Sequence, residues 1–301
     1  MTRKRVLVVA NKWWECDPIM SVLLNNNVGP APGLGWPSFL NHPHRRPDQK
    51  NLPAESTWPV PRAIFTLSNS SVEVWCISDL LGHLPDRPED QSSSERKIEQ
   101  LPNIFVGQKP NLVVAIGTAA FPSDTSENGN VIIGTKIFMH NGDPKNPASH
   151  WDSDSFDKVI PSGLGEPTFT AITSIEPAAL VRFLTPPLNA AAKAELLAGY
   201  DYVALGTVNV TDPKKYAQAD QATFDAYKAN DDPALAKSLE TTHGLVRVQS
   251  EAPFIFVSGI ANRVGHFNDE VNPRQYAQNT TVAHNAGVVL AWMIPKINDF
   301  F

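Results

Sequence analysis

Residues able to take part in chemistry cluster in the stretch 253–269, which reads PFIFVSGIANRVGHFND. Its apolar run, 254–257, follows a proline and predicts a strand that is covered on both faces. Ligands of open α/β sheets bind beyond the carboxyl ends of strands, so we expect a site at this end. A solvated loop at a sheet edge would explain the same composition equally well. The polar and small residues that follow the run are Ser258, Gly259, Asn262, Arg263, His266 and Asp269.

Two earlier strand ends also carry candidate residues. The run Val6 to Ala10 predicts a first strand, and Asp17 before Pro18 predicts a helix start, because aspartate caps helices and proline fits their first turn. Glu15 would then lie at the mouth of the sheet. A second apolar run, 111–116, ends in the small residues 117–120 around Thr118, where a ligand can approach the backbone closely.

The remaining pattern alternates strands with helices along the whole chain. This alternation predicts an α/β protein with three αβα layers around a central mixed, mostly parallel sheet. We expect one domain over 1–301, with a surface insertion at 25–62 that is rich in proline, glycine and asparagine. Further strands are expected at 72–77, 131–138 and 202–210, and helices at 92–105 (where Ser92 and Glu95 have the capping-box form), 177–184, 189–197, 233–248 and 272–293.

Composition excludes several classes of protein. A formal net charge of -6 and a pI of about 5.7 argue against a nucleic-acid or membrane partner. The apolar stretch near the N-terminus is too short for a signal peptide, so we expect a cytoplasmic protein. Cys16 and Cys76 are expected to be buried thiols, and no Cys or His spacing suits a metal. No G-x-G-x-x-G follows a predicted strand, which disfavours a dinucleotide-dependent oxidoreductase, and no cofactor is expected.

Taken together, these segments resemble the nucleoside phosphorylase and nucleosidase superfamily, whose members cleave the N-glycosidic bond of nucleosides. The resemblance rests on VLVVANKWWE, on VVAIGTAA and on LETTHGLVRVQSEAPFIFVSGIAN. It covers most of the chain apart from 25–62 and 141–170. It implies the αβα fold, a nucleoside substrate and a homo-oligomer.

The resemblance also assigns roles to individual residues. Glu15 takes the position of the catalytic glutamate, and Asn262 takes that of the group that hydrogen-bonds the leaving base. Glu240 would hold the ribose 2′ and 3′ hydroxyls, with Leu239 in place of the family's methionine against the sugar. Thr118 would lie at the sugar. Asn209 and Val210 fall where the family lines the base pocket, although an aromatic stacking residue is often found there.

Such chemistry needs groups at both ends of the broken bond, because positive charge develops on the sugar and negative charge on the base. A carboxylate acting as general base on water contributes about 10²–10⁴-fold, and Glu15 is the candidate. The plainer interpretation of Glu15 is a charge stabilised by a helix N-terminus. Likewise, Glu240 would also fit a solvated helix face.

The nucleophile decides between a hydrolase and a phosphorylase. Phosphate needs arginine forks or a nest of backbone amides. Hexameric phosphorylases place an arginine where this chain has Ala115, which favours water. Lys12 or the Arg45–Arg46 pair could still supply charge, so a phosphate-dependent phosphorylase stays the alternative. A nonenzymatic nucleoside-binding protein on the same fold is a third possibility.

Overall fold

The computed structural model describes residues 2–24, 59–81, 94–121, 127–140, 196–204, 236–240, 242–247, 249–270 and 277–301. Within these ranges, the strands are β1 (Lys4–Ala10), β2 (Ala63–Thr66), β3 (Ser70–Cys76), β4 (Leu112–Phe121), β5 (Val131–His140), β6 (Leu196–Ala204), β7 (Ala236–Glu240) and β8 (Phe254–Arg263). The helices are α1 (Trp13–Leu24), α2 (Ile77–Leu81), α3 (Ser94–Gln100), a 3₁₀ helix (Leu101–Phe105), α4 (His243–Arg247), α5 (Phe267–Glu270) and α6 (Ala277–Phe300).

The strands form one mixed sheet whose order is β2-β3-β1-β4-β7-β6-β5-β8. Strand β4 also pairs with β8, so β4, β7, β6, β5 and β8 form a closed circuit. Pairing is parallel between β1 and β3, β1 and β4, β4 and β8, β5 and β6, and β6 and β7. It is antiparallel between β2 and β3, β4 and β7, and β5 and β8. The predicted mixed, mostly parallel sheet is therefore confirmed.

Helices cover both faces of this sheet. In β1, Val6 and Val8 lie in a cluster with residues of α1 and α6, whereas Leu7 and Val9 lie in a second cluster with residues of α2, the 3₁₀ helix and α4. Apolar side chains on both faces of a strand are what a parallel sheet between two helical layers requires. The predicted three-layer architecture follows from these two clusters.

The long helix α6 approaches the sheet closely at one glycine. A Cβ atom at Gly259 in β8 would lie 2.3 Å from the carbonyl oxygen of Val282 in α6. Further along, Gln278 Nε2 donates to the Ala261 carbonyl. These contacts fix the carboxyl end of β8 against α6.

The helix start predicted at Asp17 is wrong, because α1 begins at Trp13 and Pro18 lies inside it. Asp17 does not cap the helix but bonds the buried Arg62, whose guanidinium also binds the Asp79 carboxylate at 2.6 and 2.8 Å. This ion pair holds α1 and α2 to the start of β2. Arg62 is the last residue of the predicted surface insertion, and residues 25–58 of that insertion lie outside the described residues.

Four predicted boundaries also change where backbone pairing overrides local propensity. Strands β4 and β8 run on to Phe121 and Arg263, past the apolar runs 111–116 and 254–257 on which the predictions rested, because the two strands pair with each other along this stretch. Residues 236–240 form β7 and not part of a helix, because they pair with β6. Leu196 and Leu197, predicted at a helix end, open β6.

The other predictions fall partly outside the described residues. The predicted strands at 6–10, 72–77 and 131–138 correspond to β1, β3 and β5, and the last predicted helix corresponds to α6. The predicted helix at 177–184 and most of that at 189–197 lie outside the described residues, and the single domain over 1–301 stays a prediction.

Candidate functional site

The candidate site lies around the carboxyl end of β4, where three strands meet. Ala120 of β4 pairs with Asn262 of β8 on one side and with Leu239 of β7 on the other. Neighbouring strands lie about 4.8 Å apart, so these two predicted site residues flank a single β4 residue. Thr118 lies two positions earlier on β4, about 6.6 Å away along an extended strand. The register alone therefore brings three of the predicted site residues to one place.

The carboxylate of Glu15 is fixed to this strand end. Its Oε1 accepts hydrogen bonds from the Thr118 amide at 2.7 Å and from the Thr118 hydroxyl at 2.6 Å. Its Oε2 accepts from the backbone amide of Lys12 at 2.9 Å, so Glu15 at the third helical position reaches back to the residue before α1. The side chain of Glu15 is only 3% exposed. Charge-assisted hydrogen bonds of this kind set the orientation of a carboxylate.

The sequence around Gly117 makes room for Glu15. A Cβ atom at Gly117 would lie 3.0 Å from Glu15 Oε1 and 3.3 Å from its carboxyl carbon. The predicted role of small residues here was to admit a ligand, whereas in the structure Gly117 admits the carboxylate of Glu15. Similarly, the Thr118 hydroxyl bonds Glu15, and its predicted contact with a sugar stays a prediction.

Glu240 is the last residue of β7 and caps the short helix that follows. Its Oε2 accepts from the Thr242 amide at 2.5 Å and its Oε1 accepts from the His243 amide. The alternative interpretation of Glu240 as part of a solvated helix face is wrong, because Glu240 ends a strand and is only 9% exposed.

Asn262 sits just past an irregularity in the pairing of β8. Ala119 pairs with Ile260 and Ala120 with Asn262, which leaves Ala261 as an extra residue. Such bulges re-aim side chains and are over-represented beside active sites. Asn262 is 6% exposed, and its Nδ2 donates to the Arg263 carbonyl at 2.7 Å.

The chain beyond Asn262 is clamped by an ion pair. Glu270 accepts from the backbone amide of Arg263 at 2.8 Å, from its Nε at 2.6 Å and from Asn128 Nδ2 at 3.2 Å. Burial acts to raise the pKa of Glu270, but these hydrogen bonds outweigh it and hold the pKa below its ordinary value. The clamp folds α5 back onto the end of β8. His266 is partly exposed and Asp269 is largely exposed, and the distance between His266 Nδ1 and Asp269 Oδ2 is 3.8 Å.

A buried lysine that the sequence did not single out lies beside the segment that Glu240 caps. Lys97 of α3 is only 1% exposed, and its Nζ donates to the Thr242 hydroxyl at 2.9 Å. Burial and the charge of Lys12 lower the pKa of Lys97 from 10.5 to about 7, while the charges of Glu240 and Glu15 oppose this shift. Both carboxylates therefore lie within electrostatic reach of one buried amine. Lysines on helices are mostly exposed, so the sequence offered no signal for Lys97.

Lys12 adds a second amine to this neighbourhood. Burial lowers the pKa of Lys12, and the charges of Glu15 and Cys76 oppose that effect. The cluster thus holds two lysines, Lys12 and Lys97, and two carboxylates, those of Glu15 and Glu240. At full ionisation these four charges cancel. Cys16 and Cys76 are free and buried, as predicted.

Several predicted residues cannot be placed. Asn209, Val210 and the Arg45–Arg46 pair lie outside the described residues. Among the residues that the structure does describe, no group of three His, Cys, Asp or Glu side chains could hold a metal ion. In the same residues, no helix combines the length and the apolar character needed to cross a membrane.

A shallow polar cavity of about 550 Å³ lies elsewhere on the surface. It is lined by residues such as Arg3 before β1, Arg5 near the start of β1 and Glu73 in the middle of β3. The Arg5 guanidinium and the Glu73 carboxylate pair with each other at 2.8 and 2.9 Å. The candidate site lies at the opposite, carboxyl ends of the parallel strands, where ligands bind in α/β sheets.

Comparison with known proteins gives a match in structure and none in sequence. No protein-family model matches the chain, and no curated protein matches it significantly. A 5′-methylthioadenosine/S-adenosylhomocysteine nucleosidase from Helicobacter pylori superposes with a TM-score of 0.56 at 10% identity, covering 98% of this chain and 99% of that one. Futalosine hydrolase from the same organism superposes with a TM-score of 0.55 at 12% identity, covering 97% of both chains.

A third solved structure extends the likeness to another organism. The 5′-methylthioadenosine/S-adenosylhomocysteine nucleosidase from Colwellia psychrerythraea, in complex with adenine, gives a TM-score of 0.54 at 10% identity over 98% of this chain and 96% of that one. At such identities the likeness is one of fold. The resemblance inferred from the sequence is thus confirmed at that level, and the chain has the αβα fold of these nucleosidases.

Proposed function

We propose that this protein hydrolyses the N-glycosidic bond of a nucleoside. The observation that carries the proposal is the position of Glu15, Asn262 and Leu239, the neighbour of Glu240, around the end of β4. Thr118 holds Glu15 there by hydrogen bonds, and Ala120 pairs with Asn262. The charges of both carboxylates also act on the pKa of Lys97. All three side chains around the strand end are buried, which argues against a solvated loop and supports the proposal.

In this proposal Glu240 binds the sugar. Two backbone amides orient its carboxylate, and such a preoriented group suits two neighbouring hydroxyls. Leu239, which precedes it, is buried beside Ala120 and would pack against the ribose.

Glu15 would activate the nucleophile. The water oxygen forms a bond to C1′ while a water proton passes to the Glu15 carboxylate, and the electron pair of the C1′–N bond leaves with the base. Asn262 would hydrogen-bond the departing ring. Its Nδ2 already donates one hydrogen to the Arg263 carbonyl, which leaves its second N–H and its Oδ1 for the base. Passage of this proton from Glu15 to the departing base regenerates the carboxylate and leaves a C1′ hydroxyl on the sugar and a free base as the products.

Charge balance supports water as the nucleophile. Phosphate brings nearly two negative charges and needs cations that are not already compensated. Here the charges of Lys12 and Lys97 are opposed by those of Glu15 and Glu240. Ala115 is fully buried in β4 and supplies no charge. The solved nucleosidases of the same fold support a purine nucleoside, or one substituted at the 5′ position, as the substrate class.

The test is base release from adenosine, inosine and 5′-methylthioadenosine, each with and without phosphate, followed by chromatography. We expect free base and free sugar without phosphate, and at least about 10²-fold slower release by Glu15→Gln. Glu99→Gln, which changes an exposed glutamate of α3, is the matched control and should match the wild type. Base release that requires phosphate would establish a phosphorylase. Tight binding without turnover, unchanged by Glu15→Gln, would establish a nonenzymatic binding protein.

A cytoplasmic location and a homo-oligomer, in which a neighbouring subunit could complete the site, remain part of this proposal. Analytical ultracentrifugation tests the second point directly. A monomer with full activity would contradict the proposed homo-oligomer.

A further inference from the structure

Burying a lysine needs an explanation that packing alone does not give. Lys97 is among the largest fully buried side chains, although it carries an amine. Removing an ammonium from water costs several kcal/mol, and an apolar residue of similar volume often serves a fold equally well. The position of the amine therefore points to a task other than stability.

The contacts of Lys97 lead to Glu240 in two steps. Lys97 Nζ donates to the Thr242 hydroxyl at 2.9 Å, and the Thr242 backbone amide donates to Glu240 Oε2 at 2.5 Å. Thr242 is itself only 1% exposed, so its hydroxyl is buried together with the Lys97 amine. The same residue thus receives a hydrogen bond from α3 and gives one to the carboxylate that ends β7.

We propose that Lys97 is a positioning residue of the candidate site, holding the Thr242 segment so that Glu240 presents its carboxylate to the 2′ and 3′ hydroxyls of a ribose. This inference rests on the proposed function, because it concerns how the sugar is held. It assigns no chemical step to Lys97. The groups that share its surroundings are Lys12 and Glu15 of the α1 segment, Glu240 of β7, and the α4 residues that follow Thr242.

The proposal predicts a selective loss of sugar recognition. Removing the amine in Lys97→Met should raise KM for a ribonucleoside about tenfold with little change in kcat, because Glu240 loses its support while Glu15 keeps its own. A ligand without the two hydroxyls makes no bond to Glu240, so its binding should not change. Lys109→Met, at an exposed lysine, is the matched control.

Thr242 supplies an independent pair of variants. Thr242→Val removes the hydroxyl but keeps the backbone amide, and it should raise KM as Lys97→Met does. Thr242→Ser keeps the hydroxyl, so its KM should equal that of the wild type. If Lys97 and Thr242 act through the same series of hydrogen bonds, the combination of Lys97→Met with Thr242→Val should raise KM no further than the larger of the two single effects.

The experiment measures KM and kcat for adenosine and inosine, and the inhibition constants of 2′,3′-dideoxyadenosine and 2′,3′-dideoxyinosine, for all variants, with thermal melts to confirm folding. A tenfold rise in KM with unchanged inhibition constants supports the proposal. An equal rise in both quantities, additive effects of the two substitutions, or a Lys97→Met variant identical to Lys109→Met overturns it while leaving the hydrolase intact. A wild-type protein that releases no base from any nucleoside overturns the proposed function, and this inference with it.

Discussion

Replacing Gly117 by alanine tests the position of Glu15 without touching its carboxylate. The new Cβ atom would lie 3.0 Å from Glu15 Oε1, 3.3 Å from Cδ and 3.5 Å from Oε2, and the first of these contacts is too short by a few tenths of an ångström. The carboxylate cannot move away freely, because the Thr118 amide and hydroxyl hold the same oxygen at 2.7 and 2.6 Å. Either these bonds lengthen or the carboxylate rotates.

The expected cost falls on catalysis. A displacement of about 1 Å at a reacting group costs roughly 10²-fold, so a shift of a few tenths of an ångström should lower kcat about tenfold, equivalent to about 1.4 kcal/mol. The backbone at Gly117 lies outside the left-handed region, so alanine is tolerated there and the melting temperature should change little.

The assay is base release under saturating nucleoside by the Gly117→Ala, Glu15→Gln and doubly substituted proteins, with thermal melts of each. In the Glu15→Gln protein the second change should have almost no further effect on kcat, because the group it displaces no longer acts as a base. Full activity of Gly117→Ala would refute the catalytic role of Glu15. So would a loss of the same size in both backgrounds.

Two further predictions concern stability. Because the pKa of Lys97 is about 7 in the folded protein against 10.5 for an ordinary lysine, the unfolded state binds more protons between these values and stability rises with pH across that window. The free energy of unfolding of the wild type should therefore increase by about 2 kcal/mol more than that of Lys97→Met between pH 7 and pH 9, measured by urea denaturation; equal increases would contradict the buried amine. Gly259→Ala would place a Cβ 2.3 Å from the Val282 carbonyl, so we expect a loss of about 1–3 kcal/mol in stability by calorimetry, and an unchanged melting temperature would contradict the close approach of α6.

The sequence predicted the sheet well because its central strands are apolar on both faces. Short apolar runs such as 111–116 and 254–257 are typical of buried strands between helices. The three-layer fold follows from their alternation with helical segments. What the runs could not reveal is where the strands end. Thr118 and Asn262 look like loop residues, yet they continue β4 and β8 because each strand pairs with the other.

The site was predictable only in part, since its geometry depends on contacts between segments far apart in sequence. Glu15 and Asn262 were found through their positions after strands. Glu240 was identified by resemblance but was placed in a helix, because the pairing of β7 with β6 has no signal in local propensity. Lys97 was missed altogether: it lies in a charged helical segment, SERKIEQ, whose lysine would ordinarily face solvent.

A crystal structure of the Glu15→Gln protein soaked with adenosine tests the central claim most directly. We expect the ribose 2′ and 3′ hydroxyls on the Glu240 carboxylate, the purine ring against Asn262, and C1′ facing residue 15 across the end of β4. A nucleoside bound elsewhere, for example in the polar cavity beside Arg5 and Glu73, with no ligand between Glu240 and Asn262, would contradict the account.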